Sequence, residues 1–165
     1  MAYAGTVPQV EMLPAGTVLQ VVNTMSSTLA TGSTILPLDN TIPQSTEGDQ
    51  YMSLAITPKS ASNTLVIEVV ANAANSAGNT TSVALFQDAT ANALAAVALT
   101  HFGVANSVLT QKLTHKMTAG TTSATTFKAR IGPSAAATIS FNGQSGAQLF
   151  GGVMASSITI YEIAV

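Results

Sequence analysis

Residues 50–71 read QYMSLAITPKSASNTLVIEVVA, and this stretch decides the fold class. Tyr51–Ile56 and Leu65–Val70 are short apolar runs whose side chains alternate with period two, separated by the turn-rich Pro58–Ser62. A period of two sends successive side chains to opposite faces of a strand, whereas a helix needs a spacing near 3.6. The two runs are predicted to pair as a β-hairpin.

The same period runs outward in both directions. Thr17–Val22 predicts a first strand, and Ser82–Asp88 alternates Val83, Leu85 and Gln87 with Ala84, Phe86 and Asp88. Along Val108–Met117, Leu109, Gln111, Leu113, His115 and Met117 share one face, with Val108, Thr110, Lys112, Thr114 and Lys116 opposite. Thr125–Ile131 places Phe127, Ala129 and Ile131 inward and Thr126, Lys128 and Arg130 outward. Ser33–Leu38 reads as a short strand ended by Pro37 and Asp39-Asn40. Thr138–Phe141 runs into Asn142-Gly143, a strong hairpin signal. Ala91–Val97 is short and alanine-rich, compatible with a loop or a short strand. Ser157–Val165 supplies a last strand. About eight strands spaced by Gly, Ser, Thr and Asn turns predict an all-β, antiparallel two-sheet sandwich of jelly-roll type over residues 16–165.

Residues 1–15, MAYAGTVPQVEMLPA, stand apart. Pro8 and Pro14 oppose helix and favour extended neighbours. Tyr3, Val7, Val10, Met12 and Leu13 give this arm an apolar, adhesive character. It is either a frayed terminus or an arm that lies on another subunit or a supporting surface.

Composition excludes more than it assigns. Charged residues make up 7% of the 165, where about 25% is usual. Hydroxyls and amides must hydrate the surface in place of charge, or assembly must remove surface from water; we expect both. A net charge of −2 offers no electrostatic footprint for nucleic acid. The absence of cysteine removes disulfides and thiolate chemistry. Met1–Ala4 has neither basic n-region nor apolar h-region, and the longest apolar run, Ala93–Leu99, falls far short of the roughly 20 residues of a spanning helix. No secretory signal and no membrane partner are expected.

The residues that could carry chemistry are scattered. His101 and His115 have no carboxylate or second histidine at ligand spacing, and each reads as a partly buried structural residue. Gly143–Gly146 holds a serine between glycines at the wrong spacing for a nucleophile elbow. Glu47 and Asp49, a close acidic pair, precede a strand as solvated turn residues do. No enzyme, metal or cofactor is predicted. Lys112, Lys116, Lys128 and Arg130 occupy outward positions of two successive strands and would make a local basic face. That face suits either a solvated edge or an acidic partner surface. Glu68 and Glu162 each interrupt an apolar strand, facing water or a cation across a subunit boundary.

Four phrases carry a likeness: GTVLQVVN at 16–23, TIPQSTEGDQYMSLAITPKSASNTLVIEVVANAAN at 41–75, ALFQDATANALAA at 84–96 and SSITIYEIAV at 156–165. Together they resemble small β-sandwich virion proteins of tailed bacteriophages, which occur as separate structural proteins and as fibre-tip domains. The resemblance spans roughly 16–165, with residues 100–150 similar in pattern only. It implies a jelly-roll subunit assembling as a homotrimer, with strands of three copies packed about one axis. It also implies location in the virion, on the outside of the phage head or on a tail fibre. A capsid decoration (cement) protein would bind the major capsid protein or another virion protein, with Tyr3, Val7, Pro8, Val10, Met12, Leu13 and Pro14 as docking arm. The alternatives are a fibre tip that binds a host receptor, a trimeric extracellular signalling or adhesion module, and an enzyme. Sparse aromatics argue against the fibre tip, the missing signal against the extracellular module, and the scattered chemistry against the enzyme.

Overall fold

The computed structural model describes residues 13–165, and almost all regular structure among them is strand. β1 (Val18–Ser26), β12 (Ser156–Ile163), β4 (Thr64–Asn75) and β7 (Val108–Thr118) lie side by side in that order. Beyond the reach of β12, the same edge of β4 pairs with β9 (Ile139–Phe141), which in turn pairs with β2 (Ala30–Gly32). The second sheet runs β3 (Asp49–Ile56), β8 (Thr125–Pro133), β5 (Thr80–Gln87), β6 (Ala95–Thr100). Every pairing is antiparallel.

The two sheets close on one core. Leu65, Ile67 and Val69 of β4 and Ile158 and Ile160 of β12 meet Val83 and Leu85 of β5 and Phe127, Ala129 and Ile131 of β8. All are essentially inaccessible to water, each contributing about 1.5–3 kcal/mol of burial. Strand alternation therefore predicted the inward faces of β4, β7 and β8 correctly.

It did not predict which strands pair. β3 and β4 form no hairpin: β3 lies beside β8 in one sheet, and β4 lies between β12 and β7 in the other. Residues 57–63 arch from sheet to sheet, so the apolar faces of both strands meet across the core instead of lying in one plane. The arch is held from below by Glu162, which accepts hydrogen bonds from the Lys59 and Ser60 amides and the Asn63 side chain.

Ser33–Leu38 is not a strand. It belongs to a strap, residues 33–48, that crosses the outside of the second sheet. Leu36 is buried there against Ala84 and Phe86. Backbone bonds from Leu36 to Pro133 and from Ala93 to Pro43 tie the strap down at isolated points rather than in a ladder. This cover explains why β5 is buried on both faces. It also requires Gly132, where a Cβ would lie 2.6 Å from the Thr34 carbonyl oxygen. The ambiguous alanine-rich segment resolves into β6, paired with β5 from Ala95 to Thr100.

Asn142-Gly143 is not the hairpin turn either. The Asn142 amide bonds to Asn72 of β4, and its side chain donates to the Ser26 and Thr28 carbonyls. The turn closes at Ser145-Gly146, whose φ values of 51° and 73° are both positive, between the paired β10 (Gly143–Gln144) and β11 (Ala147–Gln148). Two positive φ angles are what a tight hairpin's right-handed strand twist demands.

Candidate interaction surfaces

Among the described residues, no element covers the outer face of the first sheet. Its rows follow from the register. Val21, Tyr161, Val66 and Lys116 lie across the four strands in one row. Asn23, Thr159, Glu68 and Thr114 form the next, and Met25, Ser157, Val70 and Lys112 the one after. Apolar side chains thus flank a band of hydroxyls and amides. Val21 is 51% exposed and Met25 68%. Lys112 and Glu68, 3.0 Å apart, form an ion pair within this face. Glu68 therefore answers a cation of its own sheet.

The face has an apolar groove of about 490 Å³ at one end, lined by Ala15, Gly16, Thr64, Val66, Lys116, Ile163, Ala164 and Val165. The described chain enters beside it. Gly16 donates to the Ala164 carbonyl, and the Thr17 hydroxyl bonds Pro14 at 2.6 Å. Of the predicted docking arm, Leu13 and Pro14 fall here, at the edge of the uncovered face. Tyr3, Val7, Pro8, Val10 and Met12 lie outside the described residues.

The four cations do not make one face. Lys112 and Lys116 stand on β7 in the first sheet; Lys128 and Arg130 stand on β8 in the second. Successive strands usually pair, which is why the sequence suggested one patch, but residues 119–124 arch between sheets. The Ala119 and Gly120 amides bond back to Asn63 and Ala61 of the other arch, not across a hairpin. Lys128 donates to the Asp88 carbonyl, and Arg130 to the Glu47 and Gly48 carbonyls at 2.8 and 2.6 Å. Those two cations hold loops.

The acidic pair serves loops as well. Glu47 accepts from the Gln44 amide, and Asp49 from the Thr34 amide and hydroxyl. Beside Asp49, Tyr51 stacks on Phe141 with ring centroids 4.8 Å apart. Burial, and secondarily the Asp49 charge, push the Tyr51 hydroxyl far above its ordinary pKa.

Far from the chain entry, two linked loops display the most exposed aromatics among the described residues. Phe102 is 88% exposed and Phe150 75%, each at a φ of 51° in the left-handed region that bulky residues avoid. Gln144 Nε2 bonds the Asn106 carbonyl at 2.6 Å and couples the loops. His101 beneath them is buried, bonded through Nε2 to Thr81 Oγ1 and through Nδ1 to Ser107 Oγ. Sequence reasoning placed His101 as structural but missed these loops. The signal available was the pairing of each Phe with a following glycine, as in Phe102-Gly103 and Phe150-Gly151-Gly152.

No family model matches this chain, and no curated protein matches it. Among solved structures, the Eiger TNF from S. frugiperda aligns at a TM-score of 0.50 with 12% identity, covering 87% of this chain and 93% of that one. A structure of infectious bursal disease virus, Gx strain, aligns at a TM-score of 0.32 with 10% identity, covering 96% of this chain and 42% of that one. The first likeness shows a shared fold. The chain is an antiparallel two-sheet sandwich of jelly-roll type, and among its described residues nothing covers the outer face of the first sheet.

Proposed function

We propose that this chain is a non-enzymatic virion structural protein of a tailed bacteriophage: a homotrimeric decoration protein on the outside of the head that stabilises the shell. The observation that carries this reading is the uncovered outer face of β1, β12, β4 and β7, where Val21, Tyr161, Val66, Val70 and Met25 surround a hydroxyl band with a single ion pair. Such a face suits packing against copies of itself: its one ion pair is internal, and its remaining cation, Lys116, stands exposed on the edge strand β7, where it can stay in water. The sparse overall charge fits a chain that loses this surface on assembly. The arm leaves the domain at the edge of that face, so three arms would emerge together at one end of a trimer, placed to reach the major capsid protein. Attachment to the assembled shell, but not to free subunits, would stabilise the shell by mass action.

The copy number of this chain against the major capsid protein in purified particles tests the location. A ratio within a few-fold supports decoration. A ratio of a few per cent supports the alternative, a tail- or head-fibre tip binding a host receptor, for which the exposed Phe102 and Phe150 loops speak. Absence from particles overturns both. Deleting residues 2–15 should abolish attachment and leave the trimer intact; loss of the trimer instead would make the arm an assembly element.

A further inference from the structure

The hydrogen bonds around His101 run in one direction. Ser107 Oγ donates its hydrogen to the Val104 carbonyl at 3.1 Å, so it meets His101 Nδ1, 2.8 Å away, as an acceptor. With the proton on Nδ1, Ser107 keeps its bond to Val104 and the bare Nε2 accepts from Thr81 Oγ1 at 2.9 Å, so every group of the chain is paired. Thr81 in turn accepts from Asn75 Nδ2 at 3.1 Å. The chain Asn75–Thr81–His101–Ser107–Val104 is complete only with a neutral imidazole in the Nδ1–H tautomer.

The surroundings offer a charged imidazole no countercharge. β5, β6 and the loops 76–79 and 102–107 contain no charged residue. The charged residues of β4 and β7 are Glu68, Lys112 and Lys116, all on the outer face; His115 of β7 turns inward but makes no bond to His101. A proton on Nε2 would turn that atom into a donor. Thr81, fully buried, would then have to accept twice and would lose the only acceptor of its own hydroxyl hydrogen.

The geometry points to a proton-sensitive latch: neutral His101, seated through Nε2 on Thr81 of β5 and bonded through Nδ1 to Ser107, ties the loop 102–107 to β5. Protonation at Nε2 breaks the seat on Thr81 and so frees the ring together with the loop that displays Phe102 and Val104. Burial, against a smaller opposing contribution from the Ser107 backbone, holds the His101 pKa below the ordinary imidazole range. Because the folded pKa is lowered, the latch is intact above it and fails as pH falls through it. This inference is independent of where the protein resides.

The test is NMR on the wild-type protein. Ring ¹⁵N shifts report the tautomer and titration of His101, and hydrogen exchange reports the amides of Gly103, Val104 and Asn106, which bond Gly78, His101 and Asn75. The expected result is an Nδ1–H tautomer at neutral pH and a fall in those protection factors with His101 protonation. One pKa unit of coupling corresponds to about a tenfold fall. The amides of Gly48 in the strap and of Ala93, which bonds the strap at Pro43, should not follow. Thr81→Val should leave the loop poorly protected at every pH, and Thr81→Ser should restore the transition. An Nε2–H tautomer, or titration of His101 with unchanged loop protection, overturns the latch.

Discussion

Glu162 has no exposed surface, yet its carboxylate meets four nitrogen donors: Gln20 Nε2 at 2.5 Å, Asn63 Nδ2 at 2.6 Å, and the amides of Lys59 and Ser60 at 2.7 and 3.2 Å. Burial pushes its pKa up, but the donors, led by Asn63 and Gln20, outweigh it and hold the group below its ordinary value. A folded pKa below the unfolded one means that this stabilisation is present above the unfolded pKa and is lost as pH falls through the folded value. Glu162→Gln turns an amide NH₂ towards existing donors and should cost about 2–3 kcal/mol at neutral pH in urea unfolding. The variant should also lose less stability than wild type on acidification; equal acid sensitivity would sink the assignment. The Lys112–Glu68 pair is the contrasting case. Its lysine is 59% exposed, so Lys112→Ala should change stability by no more than about 0.5 kcal/mol. From sequence, Glu68 and Glu162 looked alike, each one carboxylate in an apolar strand. Their difference lies in strand phase: Glu68 shares a face with Val66 and Val70, Glu162 with Ile158 and Ile160.

At the scale of elements, the strap is the part whose removal has the widest effect. Leu36 seals the outer faces of Ala84 and Phe86, and its loss would leave a cavity against β5. Leu36→Ala should cost about 2–4 kcal/mol in thermal or urea unfolding. The amides of Gly48 and of Ala93, which bonds the strap at Pro43, should lose exchange protection before those of β8. A variant that melts like wild type would mean the strap is dispensable. Alternation made the long strands legible because each has one dry face. It could not distinguish a hairpin from an arch: residues 57–63 and 119–124 connect apolar faces equally well in one sheet or across two. Nor does the strap have a periodic signature, since its contacts are single anchors spread over 33–48.

For the whole molecule, the proposed self-association through the outer face of β1, β12, β4 and β7 makes a direct prediction. Val66 is half-buried on that face, beside Tyr161 and Lys116. Val66→Glu should fold with an unchanged circular dichroism spectrum, because the position faces away from the core. By light scattering it should be a monomer at concentrations where wild type is a trimer. A wild-type monomer, or a trimeric variant, would remove this face from the interface. The two aromatic loops sit at the opposite end from the chain entry, which leaves them free of such a contact.

The sequence by itself determined the class of fold and the alternating faces of β7 and β8. These follow from local alternation, which any strand with one dry face must show. Only the tertiary structure decided that β3 and β4 part into different sheets, that the four cations divide between those sheets, that Glu162 closes an arch, and that His101 completes a chain of hydrogen bonds. Each of these depends on residues far apart in sequence, such as Lys59 and Glu162, being brought within bonding distance when the two sheets close on one core.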